Sequence, residues 1–123
     1  AYAARHGLPE DEADLPRHRF VGSDNADSRA PFLRWLRERV PAGAITYRTT
    51  EPAAMEAAIA AGAGIGFLSV TQAARHPDLI EVLPPRPEWD APLWIVTHVD
   101  LHRTRKVQAF LAALKDAAKG WQV

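Results

Sequence analysis

Hydrophobic residues in this chain recur with the two-residue period of strands in some segments and with the period of helices in others. Five short apolar segments have the pattern of strands, at residues 18–22, 44–48, 65–70, 79–83 and 93–97. In the second of these, Ile45 and Tyr47 fall on one face, as in a strand that is buried on one side. The third is continuously apolar, which is expected for a strand covered on both faces.

Four helices are predicted between and after these strands. Polar capping residues and terminating prolines or glycines place them at Ser28 to Pro41, Thr49 or Thr50 to Gly62, Thr71 to Pro77, and Thr104 to Gly120. Residues 1–16 form a polar lead-in with one acidic helical turn, and the prolines of residues 84–92 predict a stiff connector without regular structure. Alternating strands and helices predict an α/β fold with a mostly parallel sheet flanked by helices.

Composition narrows the possible functions. The 123 residues carry 15 basic and 15 acidic side chains, so the chain has no excess positive charge with which to bind a nucleic-acid backbone by itself. It has no cysteine, and therefore no disulfide and no thiolate metal site. The longest strongly apolar stretch, residues 59–70, is too short and too rich in glycine to span a bilayer, and the first residues lack the order of a signal peptide. We therefore expect a soluble domain with no membrane partner.

The glycine-rich run of residues 61–66 invites comparison with dinucleotide-binding loops. Such a loop needs a strand before the glycines and a helix after them, so that the pyrophosphate meets a helix N-terminus. The predicted order here is the reverse, because a helix precedes the run and a strand follows it. We therefore interpret the run as a helix C-cap followed by a tight turn into a buried strand.

No set of residues in the sequence has the spacing of a catalytic or metal centre. His98 and His102 are four apart, but the first ends a strand and the second precedes a helix, so we interpret them as solvated turn histidines. Asp24 and Asp27 are interpreted as turn and cap residues rather than a general acid–base pair. No serine lies in a Gly-x-Ser-x-Gly elbow. The sequence thus predicts no catalytic residue, no metal site and no cofactor.

Two loops are stronger candidates, because each follows a predicted strand and opens a predicted helix. They are residues 23–28 and 49–51. In a parallel α/β sheet both lie at the carboxyl ends of strands, where small molecules bind. Free N–H groups at the two helix N-termini, together with serine and threonine hydroxyls, could hold an anion there. The alternative is that both are ordinary helix caps, and the two roles are compatible.

The order of these segments resembles the effector-binding domain of the LysR-type transcriptional regulators, specifically its second half. The matching pieces are Gly7-Leu8-Pro9 with Asp14-Leu15 and His18, the aromatic Trp35, residues 50–68, Asp78-Leu79, the connector at 84–92, residues 93–101, and Val107 and Phe110. The resemblance implies a periplasmic-binding-protein-like fold of two α/β subdomains with an effector cleft between them. On this interpretation residues 1–16 lead in, 17–84 form the core of the second subdomain, and 93–123 supply a crossover strand and the C-terminal helix.

Carried over by position, the resemblance also implies which residues face the effector. They are Ser23 and Asp24 on the first loop and Thr49 and Thr50 on the second, with Gly66 and Phe67 as weaker candidates. Asp24 departs from the family pattern, since a negative side chain there disfavours the usual small carboxylate effector unless an arginine pairs with it.

The function implied is that of a non-enzymatic, cytoplasmic domain that senses a small molecule and signals to a winged helix-turn-helix, the part that binds DNA. This chain contains no helix-turn-helix and no first effector subdomain, so we expect a partial effector domain. Its C-terminal helix would then either self-associate through Val107, Phe110, Leu111 and Leu114 or pack on its own sheet. Two alternatives are half of a solute-binding protein for transport and, less favoured, an enzyme domain on the same scaffold.

Overall fold

The computed structural model describes residues 1–121, which fall into two compact units, Ala1–Ala91 and the segment from Pro92 onward. In the first unit the order is α1 (Tyr2–His6), β1 (Phe20–Gly22), α2 (Pro31–Arg39), β2 (Ile45–Arg48), α3 (Pro52–Ala60) and α4 (Val70–Ala73). Short 3₁₀ helices cover Glu12–Arg17, Ala42–Ala44 and Pro87–Trp89. The second unit contains α5 (Arg105–Ala118).

β1 lies between β2, with which it forms a small parallel sheet of two strands, and the segment at Ile65. On one edge it pairs with β2, with Phe20 opposite Ile45. On its other edge it forms a single parallel bridge to Ile65, through hydrogen bonds of 2.8 Å from the Val21 N–H to the Ile65 carbonyl and from the Ile65 N–H to the Arg19 carbonyl. A helix connects each of these segments to the next, as parallel pairing requires. The predicted α/β class with parallel pairing is confirmed.

Three of the predicted strands are not formed as expected. Residues 65–70 contribute the bridge at Ile65 and then lead into α4, which begins at Val70. Residues 79–83 and 93–97 belong to no strand in the described part of the chain, and the side chains of residues 93–96 are between 45% and 88% exposed. Apolar patterning shows which positions can be buried, but a strand forms only where a neighbouring backbone supplies donors and acceptors.

The starts of α2 and α3 lie one or two residues from where the sequence placed them. α2 begins after Ala30 rather than Ser28, and α3 begins after Glu51 rather than after Thr49 or Thr50. Neither N-cap side chain accepts a hydrogen bond from its helix. A proline occupies the first position of both helices, where its missing N–H is not needed and its fixed φ favours the turn.

The glycine-rich run has the structural role that the sequence predicted. Gly62, with φ of 80°, follows α3 in the left-handed conformation that commonly ends a helix. A Cβ at Gly64 would lie 2.9 Å from the Arg19 carbonyl oxygen, so this residue allows the chain to pass close to the backbone before β1. The interpretation of the run as a helix C-cap and a tight turn is confirmed, but the buried strand expected after it is reduced to the single bridge at Ile65.

The core of the first unit lies between the sheet and α2. Its buried side chains are Leu15, Phe20, Trp35, Leu36, Val40 and Ile45. The proline-rich connector is more regular than predicted, because it contains a 3₁₀ turn. This turn packs Trp89 edge-on against Trp35, with ring centroids 5.1 Å apart. Arg86 lies over the Trp89 ring and forms an ion pair with Glu12. These contacts offset the lack of backbone donors in a proline-rich segment.

The last predicted helix is present as α5, with Thr104 as its N-cap residue. Along its predicted apolar stripe, Phe110 is 64% exposed, Leu111 is buried, and Val107 and Leu114 are half-buried. None of the helices within residues 1–121 combines the length and apolar character needed to cross a membrane.

Candidate functional site

The carboxyl ends of β1 and β2 bring the two predicted loops together. The Thr49 N–H donates to the Gly22 carbonyl at 3.1 Å, which continues the parallel pairing one residue beyond β2. Residues 23–28 and 49–51 therefore start from neighbouring points on one edge of the sheet, which is where ligands of open α/β sheets bind.

The first loop is organised by its own side chains. Ser23 Oγ accepts from the Asn25 N–H at 3.0 Å, and Asn25 Oδ1 accepts from the Asp27 N–H at 3.0 Å. These two side-chain turns fix the loop without a regular element. Asp24 is exposed and forms no ion pair with any residue in the described range. Its charge therefore faces solvent at the edge of the site.

The second loop presents one threonine and uses the other internally. Thr49 Oγ1 accepts from the Glu51 N–H at 3.1 Å, which stabilises the turn before α3. Thr50 is exposed, and it lines an adjacent pocket. The two threonines that the resemblance grouped together thus have different roles in the structure.

That pocket is apolar and has a volume of about 130 Å³. It lies among the first turns of α2 and α3 and the beginning of α4. Its walls are formed by Phe32 and Leu33, by Thr50, Pro52 and Met55, and by Phe67, Leu68 and Gln72. Of the six residues expected to face an effector, Thr50 and Phe67 line the pocket, whereas Ser23, Asp24, Thr49 and Gly66 do not.

Most of the pocket was not found from the sequence. Phe32 and Leu33 are apolar residues of α2, and Met55 is an apolar residue of α3. One signal was available, since each of these residues lies in the first turn of a helix that follows a candidate loop. Helical periodicity cannot show that two such turns face one shared cavity, because that depends on how the helices pack.

Glu56 connects α3 to α4 at one wall of the pocket. Its carboxylate accepts from Gln72 Nε2 at 3.0 Å and from Arg75 Nη2 at 3.1 Å, and it lies 2.8 Å from His76 Nε2. The hydrogen bond to His76 lowers the pKa of Glu56, Gln72 and Arg75 act in the same direction, and partial burial opposes them. Gln72 also forms a reciprocal capping box with Ser69, which caps α4 in place of the predicted Thr71.

The two histidines of the second unit have separate polar neighbours. His98 Nδ1 accepts from the Asp100 N–H at 3.2 Å, and His102 Nδ1 lies 3.0 Å from Thr97 Oγ1. Both side chains are exposed. Residues 1–121 contain no group of three or more histidine, cysteine or acidic side chains that could hold a metal ion.

Comparison with known proteins relates the chain to one family. Residues 1–119 match the family model described as the LysR substrate binding domain. No curated protein and no solved structure matches the chain.

Proposed function

Because the chain belongs to the LysR substrate binding domain family, we propose that it binds a small-molecule effector and signals its presence to a DNA-binding domain of a transcriptional regulator. This family has the periplasmic-binding-protein-like α/β fold that was expected from the sequence. The chain itself, with no net charge, leaves contact with DNA to that other domain.

The observation that carries the proposal is the position of the pocket. It opens beside the carboxyl ends of β1 and β2, between the first turns of the two helices that follow them. Open α/β sheets bind their ligands at this edge. Thr50 and Phe67, which the resemblance implies as effector-facing, are both in its walls, and this coincidence supports an effector role for the site.

The chemistry of the pocket favours binding without turnover. Its described lining consists of apolar side chains with one threonine and one glutamine, and includes no carboxylate, imidazole or amine. A general acid or base must lie within hydrogen-bonding reach of the proton that it transfers. We therefore assign a non-catalytic sensing role, in which the effector shifts a population between conformations of the regulator. The cytoplasmic location that we propose for it rests on the family alone.

Two further assignments belong to the same proposal. The chain supplies one wall of the effector cleft, with residues 17–84 as a subdomain core, and a second α/β subdomain supplies the other wall. Self-association uses α5, where Phe110 is 64% exposed and flanked by half-buried Val107 and Leu114. An exposed apolar patch of this kind favours a protein partner.

The test is a ligand-observed NMR screen of the 123-residue chain against a mixture of small metabolites. Thr50→Ala removes a hydroxyl from the pocket, and Thr46→Ala is the matched control, because Thr46 is an exposed threonine of β2 outside the pocket. We expect the screen to find compounds that bind equally well to the unmodified chain and to Thr46→Ala. The same compounds should bind more weakly to Thr50→Ala and should be recovered chemically unchanged. Absence of any bound compound, or its chemical conversion, would contradict the proposal.

A further inference from the structure

The walls of the pocket and the charges around it restrict the class of ligand. We propose that the pocket takes an uncharged, ring-sized apolar group of the effector and disfavours a small carboxylate. This inference rests on the proposed function, because it assigns a chemical class to the same site.

The lining offers little to a charged group. Phe32, Met55 and Phe67 are among its apolar walls, and the polar side chains are Thr50 and Gln72. The Gln72 amide is partly used, since its oxygen accepts from the Ser69 N–H and one N–H of its amide group donates to Glu56. The Thr50 hydroxyl is the polar side-chain group of the lining that has no hydrogen bond to the described residues. One hydroxyl and one amide N–H, both uncharged, are too little to replace the hydration of a carboxylate.

Size and shape suit a single ring. A volume of about 130 Å³ is close to that of an apolar protein cavity of about 150 Å³ that binds benzene. The rings of Phe32 and Phe67 lie 5.6 Å apart at an angle of 41°, so they provide aromatic faces and edges in the same wall. Met55 adds a flexible thioether, which adapts its shape and packs well against aromatic rings.

The helix N-termini at this edge are poorly arranged for an anion. Pro31 and Pro52 occupy the first positions of α2 and α3 and have no N–H to donate. In α2 the Leu33 N–H is already bonded to the Ala30 carbonyl at 3.1 Å. In α3 the N-cap residue is Glu51, an exposed acidic residue whose side chain makes no capping hydrogen bond, so the helix start already carries a negative charge of its own.

The first loop adds a further negative charge and no compensating cation. Asp24 is exposed and has no ion pair among the described residues. Arg37 reaches this loop, but it donates to the Ser28 carbonyl at 2.8 Å. The described pocket lining contains no lysine, arginine or histidine. An entering carboxylate would therefore lose hydration and meet like charge, whereas a neutral ring would gain contact area.

A single NMR signal can report on this pocket. Met55 is the one methionine of the chain, so a ¹³C-methyl methionine label produces one resonance, and that methyl group belongs to a pocket residue. The probes are benzyl alcohol and benzoate, which share a ring and differ in charge, and acetate, which has the charge without the ring. We expect benzyl alcohol to shift the Met55 signal saturably, benzoate to bind about tenfold more weakly, and acetate to cause no shift.

Two pairs of variants locate the effect. Thr50→Trp places an indole at the pocket, and Thr46→Trp places one on the exposed side of β2. Benzyl alcohol binding should weaken about tenfold in the first and be unchanged in the second. Asp24→Asn should strengthen benzoate binding a few-fold and leave benzyl alcohol unchanged, whereas the control Asp78→Asn, at another exposed aspartate, should alter neither.

The outcomes separate this inference from the proposed function. If benzoate or acetate shifts the Met55 signal at least as strongly as benzyl alcohol, the ligand class is wrong, but a small molecule still binds at this site. If benzyl alcohol binds equally well to Thr50→Trp and to the unmodified chain, the ring does not enter this pocket and the inference fails. If neither these probes nor any metabolite in the screen binds, the proposed function fails as well.

Discussion

Glu56 Oε1 on α3 lies 2.8 Å from Nε2 of His76, twenty residues further along the chain. The same carboxylate accepts hydrogen bonds from Gln72 and Arg75, so one acidic side chain holds the α4 segment against α3. Gln72 and Met55, the neighbour of Glu56, both line the apolar pocket. This polar cluster therefore fixes the distance between two of the pocket's walls.

The cluster predicts a pH-dependent contribution to stability from Glu56. Its pKa is lowered in the folded chain, first by the hydrogen bond to His76, so folding favours the carboxylate form. The contribution is present above the ordinary glutamate pKa of about 4 and is lost as the pH falls toward the lower folded value. We expect Glu56→Gln to melt below the unmodified chain at pH 7, with the difference closing below pH about 4.

Thermal melts followed by circular dichroism between pH 3 and pH 7 measure this difference. The control is Asp116→Asn, which removes an exposed pair with Lys119 and should leave the melting temperature unchanged. A Glu56→Gln difference that is independent of pH would show that the carboxylate charge is not what stabilises the contact.

Substitutions of Trp35 test the packing of the connector, residues 84–92, on α2. Its indole is buried and lies edge-on to both Trp89 and Phe67, but its Nε1 has no acceptor among the described residues. Trp35→Ala should lower the free energy of unfolding by about 3–5 kcal/mol, because it leaves a cavity in the core. Trp35→Phe keeps an aromatic ring and removes the unpaired donor, so it should cost less than half as much. Urea titrations measure both values, and equal costs would show that a phenyl ring restores none of the packing that the indole provides.

Gly64 tests the close approach of the chain to the backbone before β1. A Cβ there would lie 2.9 Å from the Arg19 carbonyl oxygen, and backbone atoms cannot move aside as a flexible side chain can. Gly64→Ala should therefore destabilise the fold by about 1–3 kcal/mol. Gly43→Ala is the matched control, since nothing lies within 4 Å of its Cβ position. Urea titration should place the control within about 0.5 kcal/mol of the unmodified chain, and an equally mild effect at Gly64 would mean that the backbone there can shift.

Phe110 tests the proposed self-association through α5. We expect the unmodified chain to have a mass above 13.6 kDa in light scattering at high protein concentration. Phe110→Ser should shift the equilibrium toward the monomer, because it removes the most exposed large side chain of the apolar stripe. Lys115→Ser, an exposed change on the same helix, should not. A monomer at every concentration of the unmodified chain would count against the assignment.

The sequence was most informative where the structure depends on residues that are adjacent in the chain. Pro41 after α2 and the left-handed Gly62 after α3 act through their own backbone angles, so the ends of these helices were predicted, whereas their starts were placed one or two residues too early. The chain before β1 was harder. Tyr2 is the buried residue of α1, a helix that was not predicted, and its hydroxyl lies 3.0 Å from His18 Nδ1 and accepts from the Arg19 N–H at 2.9 Å. Those contacts join residues sixteen and seventeen positions apart, which no local pattern reveals.

Some parts of the candidate site were likewise predictable from the sequence, and others were not. The positions of its two loops followed from the order of strands and helices, and the family resemblance led to Thr50 and Phe67. The other walls required the packing of α2 against α3, since Phe32 and Met55 are ordinary apolar helix residues until their helices are placed side by side.

The sequence alone determined the α/β order of elements, the helix ends set by proline and glycine, and the family. Each of these depends on local backbone preference or on an ordered series of segments, and both can be recognised from the sequence. Tertiary structure decided that Ile65 pairs with β1 whereas residues 79–83 and 93–97 form no strand, and that apolar residues of α2 and α3 line one pocket. Strand pairing and cavities depend on partners distant in sequence, so they exist only once the chain has packed.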